Sequence, residues 1–486
     1  TELSVQDLSS TAWACSSIGW WDRPWLDAIS SSAIRTITEF GPQGLANTAW
    51  AFSARGVQHG PLFAALSAAA IRTLVDFAHS ELTGTAWAFA SMKFRDAPLL
   101  SAIAKQAIAM LENCRGGEEV VNGLVDVTLV GRSLRDETAS ALSLRGVLGL
   151  VHAMAEADHP CLEALVASTY GALERRAGAL DARRPPGQLR LGLGTAAPRA
   201  GAPPEPRALV VRPHLCALWK PAGWAVRVVF GDDADAQLRT GRGGGPELQE
   251  WLAERLGSQH PVARDPLAQH GLVHRLDRET SGAVLWARSY RGYLAARLHF
   301  AARRVRKGYV CLCWGPVAPT PWLLEAPLLE LAPLGGPPRT VAGSPRGRVA
   351  RTEVVCAGHL LAPVEPQSLG SGPQASVSVV ELLLHTGRQH QIRAHLGHQG
   401  HPLVGDALYG GGSPPWCPHF LLHAWCLELD GKEDVHPIGA RAPLPTHLER
   451  ALLQLTPADS GAAAHISGWL ESKGAGNFIQ RLSCKK

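Results

Sequence analysis

The segment GLVHRLDRETSG, residues 271–282, determines the fold predicted for the second half of the chain. It is polar, and it runs directly into the apolar segment AVLWA, residues 283–287. This order predicts a loop that leads into a buried strand. Asp277 could simply cap a turn in that loop, because aspartate hydrogen-bonds readily to nearby backbone groups. Two further motifs bear on whether Asp277 has a chemical role instead.

The first of these motifs is KGYV, residues 307–310, which opens an apolar run where Cys311 and Cys313 alternate as strand residues do. The second is LHTGRQHQIRAH, residues 384–395, which continues as GHPLVGDALYG through residues 400–410. An aromatic residue at a strand start is ordinarily part of the core. A functional role for the tyrosine of KGYV is therefore indicated only because the other two motifs are also present.

Together the three motifs resemble the HRLDxxTSG, KxY and GRxHQIRxH…GxPxxGDxxYG elements of the RluA-type RNA pseudouridine synthases. KPAG, residues 220–223, resembles the entry strand of that family. The resemblance implies that Asp277 is catalytic, that Tyr309 lies against the target base, and that Arg393 pairs with the catalytic carboxylate. It also implies substrate or RNA contacts for His274, Arg275, Thr280, Lys307, Arg388 and His390.

The reaction of that family requires few catalytic groups from the protein. It breaks the bond from ribose to N1 of uridine, turns the base and joins C5 to the same sugar carbon, so nothing is oxidised or consumed. One carboxylate suffices as a nucleophile or as the stabiliser of a sugar cation, and we expect no cofactor. A neighbouring arginine, always charged, stabilises that carboxylate. The base must first be flipped from its stack at a cost of about a few kcal/mol, and Arg275 could fill the gap.

A cluster of histidines suggests an alternative function. It could bind a metal ion, and the protein would then be a metal hydrolase. The cluster comprises His385, His390, His395, His398 and His401. Metal-binding helices favour His spacings of three or four, usually with Glu or Cys completing the set. The spacings here are five, five, three and three, with no nearby Cys or Glu. We therefore predict no metal.

The first 178 residues contain a repeat. TAWA occurs at residues 11–14, 48–51 and 85–88, so successive copies begin 37 residues apart. Around the second copy, two apolar-periodic stretches flank a turn with Gly, His and Pro, which predicts a helical hairpin in each repeat. A degraded copy is present at residues 147–173. The core side of the second helix is predicted to carry Leu62, Leu66, Ile71 and Leu74.

Repeats of this length resemble octotricopeptide-like arrays, which are RNA-binding helical solenoids of organelle RNA-processing proteins. The resemblance implies an all-α solenoid over residues 1–178 that aids RNA binding. It also suggests a chloroplast or a mitochondrion as the location, with the cytoplasm or nucleus as alternatives. A protein-binding solenoid, or a scaffold without a ligand, would produce the same pattern.

The rest of the chain predicts a multidomain protein. Residues 179–206 are rich in Pro, Gly, Ala and Arg and indicate a flexible linker. Over residues 207–452, short β-rich runs are interspersed with helical patterns such as residues 290–306, which predicts an α+β synthase domain with a mixed or antiparallel sheet. Residues 453–486 are expected to form a C-terminal tail. Pro/Gly/Ser-rich stretches predict surface loops at residues 332–348 and 362–375.

Composition adds few constraints. A net charge of +5 in 486 residues permits contact with phosphates without arguing for it. The ten cysteines lack any CxxC pair, as is typical of reduced thiols. No apolar stretch approaches the roughly 20 residues that cross a bilayer, so we expect no membrane contact. The chain starts with Thr1 rather than Met, so a targeting peptide could precede it.

The sequence therefore predicts a cofactor-free RNA isomerase that acts as a monomer on ribosomal, transfer or messenger RNA. The alternative is a catalytically inert repeat protein that only binds RNA. The presence of Asp277, Tyr309 and Arg393 together favours the enzyme, because an inactive fold has no physical need of a buried ion pair.

Overall fold

The computed structural model describes residues 3–18, 20, 22–113, 143–182, 204–228, 245–319, 321–331, 338–363, 375–432 and 436–458. These residues divide into two compact units. The first contains the described residues up to 182 together with Tyr290–Arg304, and the second contains the others. Helices come first and a mixed sheet follows, so the predicted fold class is confirmed.

The described part of the first unit is helical. Its helices are α1 (Val5–Ile18), α2 (Arg23–Arg35), α3 (Pro42–Ala54), α4 (Gly60–Thr73), α5 (His79–Ser91), α6 (Ala97–Asn113), α7 (Leu144–Glu156), α8 (Leu162–Ala182) and α10 (Tyr290–Ala301). The first helices of successive pairs, α1, α3, α5 and α7, pack against one another in chain order, and so do α2, α4, α6 and α8. The repeat therefore produces stacked helical pairs, while the octotricopeptide-like resemblance stays a prediction.

The repeated alanines explain the close packing of these helices. Ala12, Ala49 and Ala86 lie at the same place in the TAWA motif and are almost completely buried. A methyl side chain lets two helix backbones approach each other closely. Three residues after the second and third of these alanines, Phe52 and Phe89 are buried as well.

The residues of the α4 segment predicted to face the core are buried, with one exception. Leu62, Leu66 and Leu74 are buried as predicted, whereas Ile71 is 40% exposed, so that assignment is wrong. Ile71 lies nine residues after Leu62, and at about 100° per residue this places it on the opposite side of the helix. The helix begins with Pro61 in its first turn and with the His59 ring, whose Nδ1 accepts a hydrogen bond from the Leu62 N–H at 3.1 Å.

The second unit is built on one large sheet. Its strands are β1 (Arg207–Val211), β2 (Leu215–Lys220), β3 (Ser281–Ala287), β4 (Val305–Trp314), β5 (Trp322–Leu324), β8 (Thr352–Leu361), β9 (Ser376–Leu384), β10 (Leu422–Leu429), β11 (Ile438–Arg441) and β12 (Thr456–Pro457). The main order is β1-β2-β3-β10-β4-β9-β8-β12, with β11 beside β10 and β5 beside β8. Among the described strands of this sheet, β3 and β10 pair in parallel, and the other pairs are antiparallel.

Strand β4 is buried on both faces. Cys311 and Cys313 belong to one hydrophobic cluster, and Val310 and Leu312 belong to another on the opposite side. The alternation predicted for this strand is therefore confirmed, and Tyr309 lies in the same cluster as the two cysteines. Helices α9 (Leu248–Leu256), α11 (Gln391–His398) and α12 (Thr446–Leu453) complete the unit.

Two elements lie where the sequence predicted none. β6 (Leu328–Leu331) and β7 (Arg339–Ala342) form a separate hairpin, so the surface loop predicted over 332–348 is wrong in part. Thr340 is buried while Val341 is partly exposed, and flanking Pro and Gly residues hid this short alternation. β12 follows residue 452 and pairs with β8. None of the described helices is long and apolar enough to span a bilayer.

Candidate active site

The loop that carries Asp277 is fixed where it enters β3. Gly282 has a φ of 128°, and a Cβ at this position would collide with the backbone of Ala424 on β10. Glycine is therefore required for β3 and β10 to approach so closely. Next to it, the Ser281 hydroxyl lies 2.8 Å from Nδ1 of the buried His423. The loop thus ends against a rigid part of the sheet.

A buried lysine holds the other side of this loop. Lys220 at the end of β2 is fully buried, and its ammonium group donates to three backbone carbonyls at 2.8–3.0 Å, one of them that of Arg278. Burial lowers the pKa of Lys220 to about 7, although the charges of Asp277 and Glu279 oppose this shift. The residue that follows Asp277 is thereby tied to β2. The sequence showed KPAG only as an entry strand and gave no such role to its lysine.

Arg393 on α11 lies beside Asp277 but has a stronger partner. Its Nη1 is 3.6 Å from Oδ2 of Asp277, whereas its Nε and Nη2 donate to the two carboxylate oxygens of Asp406 at 2.7 and 2.8 Å. Asp406 is buried and follows a tight turn at Gly405. The predicted proximity of Arg393 to Asp277 is therefore present, with Asp406 as the residue that sets the orientation of the guanidinium group.

Two aromatic rings enclose the same guanidinium group. Its Cζ lies 4.9 Å from the ring centroid of Tyr409 and 4.6 Å from that of Phe420, within the range of cation–π attraction. Burial acts to lower the pKa of Arg393, but the hydrogen bond to Asp406 and the charges of Asp277 and Asp406 raise it overall. Arg393 is thus a fixed positive charge beside Asp277.

His390 approaches Asp277 from another side. Its Nε2 is 3.9 Å from Oδ2 of Asp277, and its Nδ1 is 3.1 Å from the hydroxyl of Tyr409. That hydroxyl accepts from the N–H of Thr340 at 2.9 Å and is free to donate to Nδ1. This arrangement assigns the proton of the neutral ring to Nε2, facing Asp277. Burial and the nearby Arg393 lower the pKa of His390, against the pull of Asp277.

Tyr309 lies on β4 with its side chain almost completely buried. Burial and the negative charge of Asp277 raise the pKa of its hydroxyl, which therefore keeps its proton at neutral pH. Tyr309 belongs to the same hydrophobic cluster as Leu276 and Ile392, which directly precede Asp277 and Arg393 in the chain. Asp277, Tyr309 and Arg393, which lie far apart in sequence, are thus brought together.

Three of the residues predicted to bind RNA are used inside the domain. His274 accepts a hydrogen bond from the Leu285 N–H at 2.8 Å, and burial lowers its pKa to about 3. Thr280 is buried, and its N–H donates to the carbonyl of Asp277 at 3.1 Å. Arg388 donates to a backbone carbonyl at 3.2 Å. This geometry favours roles in shaping the loops, and an RNA contact of these side chains stays a prediction.

Arg275 and Lys307, also predicted to bind RNA, each influence the pKa of a histidine in the same motifs. The charge of Arg275 contributes to lowering the pKa of His390. The charge of Lys307, two residues before Tyr309, contributes to lowering the pKa of His274. Contact of Arg275 and Lys307 with RNA phosphates stays a prediction.

The histidines of the cluster have separate protein partners. His385 lies 2.9 Å from a carboxylate oxygen of Glu353, His395 contacts Thr352 at 2.9 Å, and His401 contacts a backbone carbonyl at 3.0 Å. Over the described ranges, no group of three or more His, Cys, Asp or Glu side chains is arranged to hold a metal ion. These three rings are therefore each held by a contact with another segment of the domain.

Comparison with known proteins agrees with this architecture. The family model described as RNA pseudouridylate synthase matches residues 250–398. tRNA pseudouridine synthase C of Yersinia pestis is 30% identical over 240 residues, which cover 47% of this chain and 80% of that protein. An uncharacterized RNA pseudouridine synthase of Chloroflexus aurantiacus is 38% identical over 198 residues, covering 38% of this chain and 53% of that protein.

A third relative, the uncharacterized RNA pseudouridine synthase YhcT of Bacillus subtilis, is 31% identical over 182 residues, covering 36% of this chain and 53% of that protein. The chain thus spans about half the length of the last two relatives. The fold and the site together define an α+β domain in which the motif residues surround the carboxylate of Asp277. The chain belongs to the RNA pseudouridine synthase family, and its resemblance to the RluA type is confirmed.

Proposed function

We propose that this protein isomerises uridine to pseudouridine in RNA, with Asp277 as the catalytic carboxylate. The observation that carries the proposal is the environment of Asp277, whose side chain is 17% exposed beside Arg393 at 3.6 Å and His390 at 3.9 Å. A carboxylate in this position is reachable by a flipped nucleotide and is largely shielded from water. Its attraction to a sugar cation is therefore stronger than it would be in bulk solvent.

The residues around Asp277 would have different roles in the reaction. Asp277 acts as a nucleophile or stabilises the sugar cation, and Arg393 holds it in place. Tyr309 offers a ring face for the flipped base, and Arg275 and Lys307 supply positive charge for phosphates. We expect no cofactor, because the isomerisation moves one bond within the nucleotide. We place the catalytic domain at residues 207–452 and expect a monomer.

We further propose that the helical unit contributes RNA binding through a row of aromatic side chains. Trp13, Trp50 and Trp87 are each the ninth residue of their helix, on α1, α3 and α5. His152 is the ninth residue of α7. Because α1, α3, α5 and α7 stack in order, these rings lie at equivalent places on successive repeats. Trp13 and Trp87 are 47% and 37% exposed.

The spacing of two of these rings suits a nucleobase. The centroids of Trp13 and Trp50 are 6.4 Å apart with their planes 37° from parallel. Stacked bases lie about 3.4 Å apart, so a base between two rings needs about twice that separation. Bases of single-stranded RNA stack readily on exposed aromatic side chains.

The activity can be tested with RNA that carries tritium at C5 of uridine. Pseudouridine formation releases this tritium to water, so the purified full chain should release it from one of the ribosomal, transfer or messenger RNA pools. Mapping pseudouridine in total RNA with and without the protein would then locate the uridine. A chain that binds RNA and releases no tritium from any pool would be an inert RNA-binding protein, which is the alternative function.

A further inference from the structure

The segment Tyr290–Arg304 follows β3 and precedes β4, yet it belongs to the helical unit. Its helix α10 packs against α7 and α8. Most of the residues between 292 and 299 are buried, and they point to every side of the helix. A helix that is buried all round is held by its surroundings rather than exposed to solvent. The contacts at its two ends show what holds it.

The N-terminal end of α10 is capped by a residue of α8. The carboxylate of Asp181 accepts hydrogen bonds from the N–H groups of Tyr290 and Arg291 at 3.1 and 3.2 Å. These N–H groups have no partner within their own helix, and a negative charge is favourable at this end of the helix dipole. The neighbouring Arg291 side chain forms an ion pair with Glu174, also on α8.

The C-terminal end is held by two ion pairs. Arg303 pairs with Glu156 at the end of α7, and Nη2 of Arg304 lies 2.7 Å from a carboxylate oxygen of Glu163 on α8. Arg303 has a φ of 56°, in the left-handed region where glycine is the usual residue at a helix end. A non-glycine residue is strained in this conformation. The local conformation therefore favours glycine, while the ion pair with Glu156 requires the arginine.

The two surfaces are complementary in charge at both ends of the segment Tyr290–Arg304. The acidic side chains on α7 and α8 are Glu156, Glu163, Glu174 and Asp181. They contact the N-terminal end of α10, Arg291 in its first turn, and Arg303 and Arg304, which follow the helix. The Arg303–Glu156 pair, with both side chains 22% exposed, is screened less than a fully exposed pair. The contacts at both ends restrain the helix in position and in rotation.

We propose that the acidic surface formed by Glu156, Glu163, Glu174 and Asp181 is a docking site for α10, and that it fixes both ends of the connection from β3 to β4. These acidic residues are positioning residues. β3 begins four residues after Asp277, and β4 reaches Tyr309 five residues after Arg304. The helical unit would then influence the geometry of the site through the chain itself. This kinetic consequence rests on the proposed function, whereas the docking does not.

The docking is tested by cutting the chain between the two units. A recognition site for a specific protease is inserted between residues 186 and 200, the full-length protein is purified, and it is then cleaved. Docking through α10 predicts that the two fragments co-elute in gel filtration at micromolar concentration. A flexible tether with independent halves predicts two separate peaks, and this result would overturn the proposal.

Substitutions then identify the contacts responsible. Glu156→Gln, Glu163→Gln and Asp181→Asn are combined, because they remove charge and conserve shape. The matched control combines Glu205→Gln, Glu254→Gln and Asp430→Asn, which remove the same charge from exposed positions. We expect the cleaved docking variant to dissociate and the cleaved control to stay together. Equal behaviour of both variants would contradict a role of these acidic residues.

A charge exchange and a rate measurement distinguish positioning from general destabilisation. Glu156→Arg alone should weaken fragment association, and addition of Arg303→Glu should restore it in part. On a short RNA, the uncleaved docking variant should lose kcat, on the order of tenfold, with little change in KM. Unchanged kcat would contradict the positioning role. If the protein has no activity at all but its fragments co-elute, the docking stands and the proposed function fails.

Discussion

Arg393 binds Asp406 through two hydrogen bonds of 2.7 and 2.8 Å and reaches Asp277 with its remaining nitrogen at 3.6 Å. Asp406 is almost fully buried, and the guanidinium group has no room to turn between the rings of Tyr409 and Phe420. The charge beside the Asp277 carboxylate is therefore positioned by a second carboxylate. Asp406 is consequently as important for the geometry as Arg393 itself.

Asp406→Asn should lower both stability and activity. Removing one partner of a buried ion pair typically costs about 3–5 kcal/mol, which urea unfolding would measure. The freed guanidinium group would shift towards Asp277, and a displacement of about 1 Å can reduce a rate about 100-fold. Glu428→Gln is the control, because Glu428 pairs with Arg441 at 2.8 Å in a less buried place. Equal activity losses in both variants would show that Asp406 has no special role.

Asp277→Asn should abolish tritium release while leaving unfolding and RNA affinity nearly unchanged, because it removes the charge and conserves the shape. Asp430→Asn is the same substitution at an exposed position and should behave as the wild type. Residual turnover of the Asp277 variant above a few per cent would remove this residue from the catalytic role.

Activity should also persist in EDTA, because we expect no metal to take part in the reaction. Loss on chelation with recovery on adding zinc would transfer the chemistry to the histidine cluster.

Lys220 predicts opposite pH dependences of stability and activity. Its pKa of about 7 in the folded protein lies below its ordinary value of 10.5. Between these values the unfolded chain binds the proton and the folded chain does not, so the contribution of Lys220 to stability rises with pH. Above pH 7 the neutral amine can donate to only two of its three carbonyls. The anchoring of the Asp277 loop weakens, and activity should fall.

Lys220→Met provides the reference for this measurement. Urea unfolding at pH 6.5, 8.0 and 9.5 should show the wild type gaining stability relative to the methionine variant as pH rises. Tritium release by the wild type should decline over the same range. Stability curves that run parallel for both proteins would mean that Lys220 does not titrate in this window.

Much of this site could be predicted from the sequence, because its motifs are short and local. Asp277, Tyr309 and Arg393 were all identified by motif, and the structure brings them together. The sequence could not predict which of two carboxylates forms the closer contacts with Arg393. Both Asp277 and Asp406 belong to recognised motifs, and only the fold shows that two nitrogens of Arg393 point to Asp406.

Long-range contacts were hidden for the same reason. The helical pattern over 290–306 was recognised, but its partners lie more than one hundred residues earlier in the chain. No periodicity or spacing connects Asp181 with Tyr290, or Glu156 with Arg303. Lys220 likewise ends an apolar run, where sequence alone cannot distinguish a buried lysine from an exposed one at a strand end.

The aromatic row on the helical unit gives the last prediction. Combined substitution of Trp13, Trp50 and Trp87 by alanine should weaken binding of single-stranded RNA about 100-fold or more, because loss of one base–aromatic stack costs about 1–3 kcal/mol. The row contains no charged side chain, so the dependence of affinity on salt should keep its slope while the affinity falls. Binding is measured by fluorescence anisotropy at several salt concentrations, with tritium release on a short RNA in parallel.

Trp20→Ala is the matched control for this experiment. Trp20 is 45% exposed but lies outside the repeated position and packs edge-on against Trp25. It should leave RNA affinity unchanged, and both proteins should keep the wild-type rate at saturating short RNA, because the row contributes no group to the site around Asp277. If the triple variant bound RNA as well as the Trp20 control, the exposed tryptophans would have to serve a protein partner or a structural role, and the RNA-binding role of the helical unit would be withdrawn.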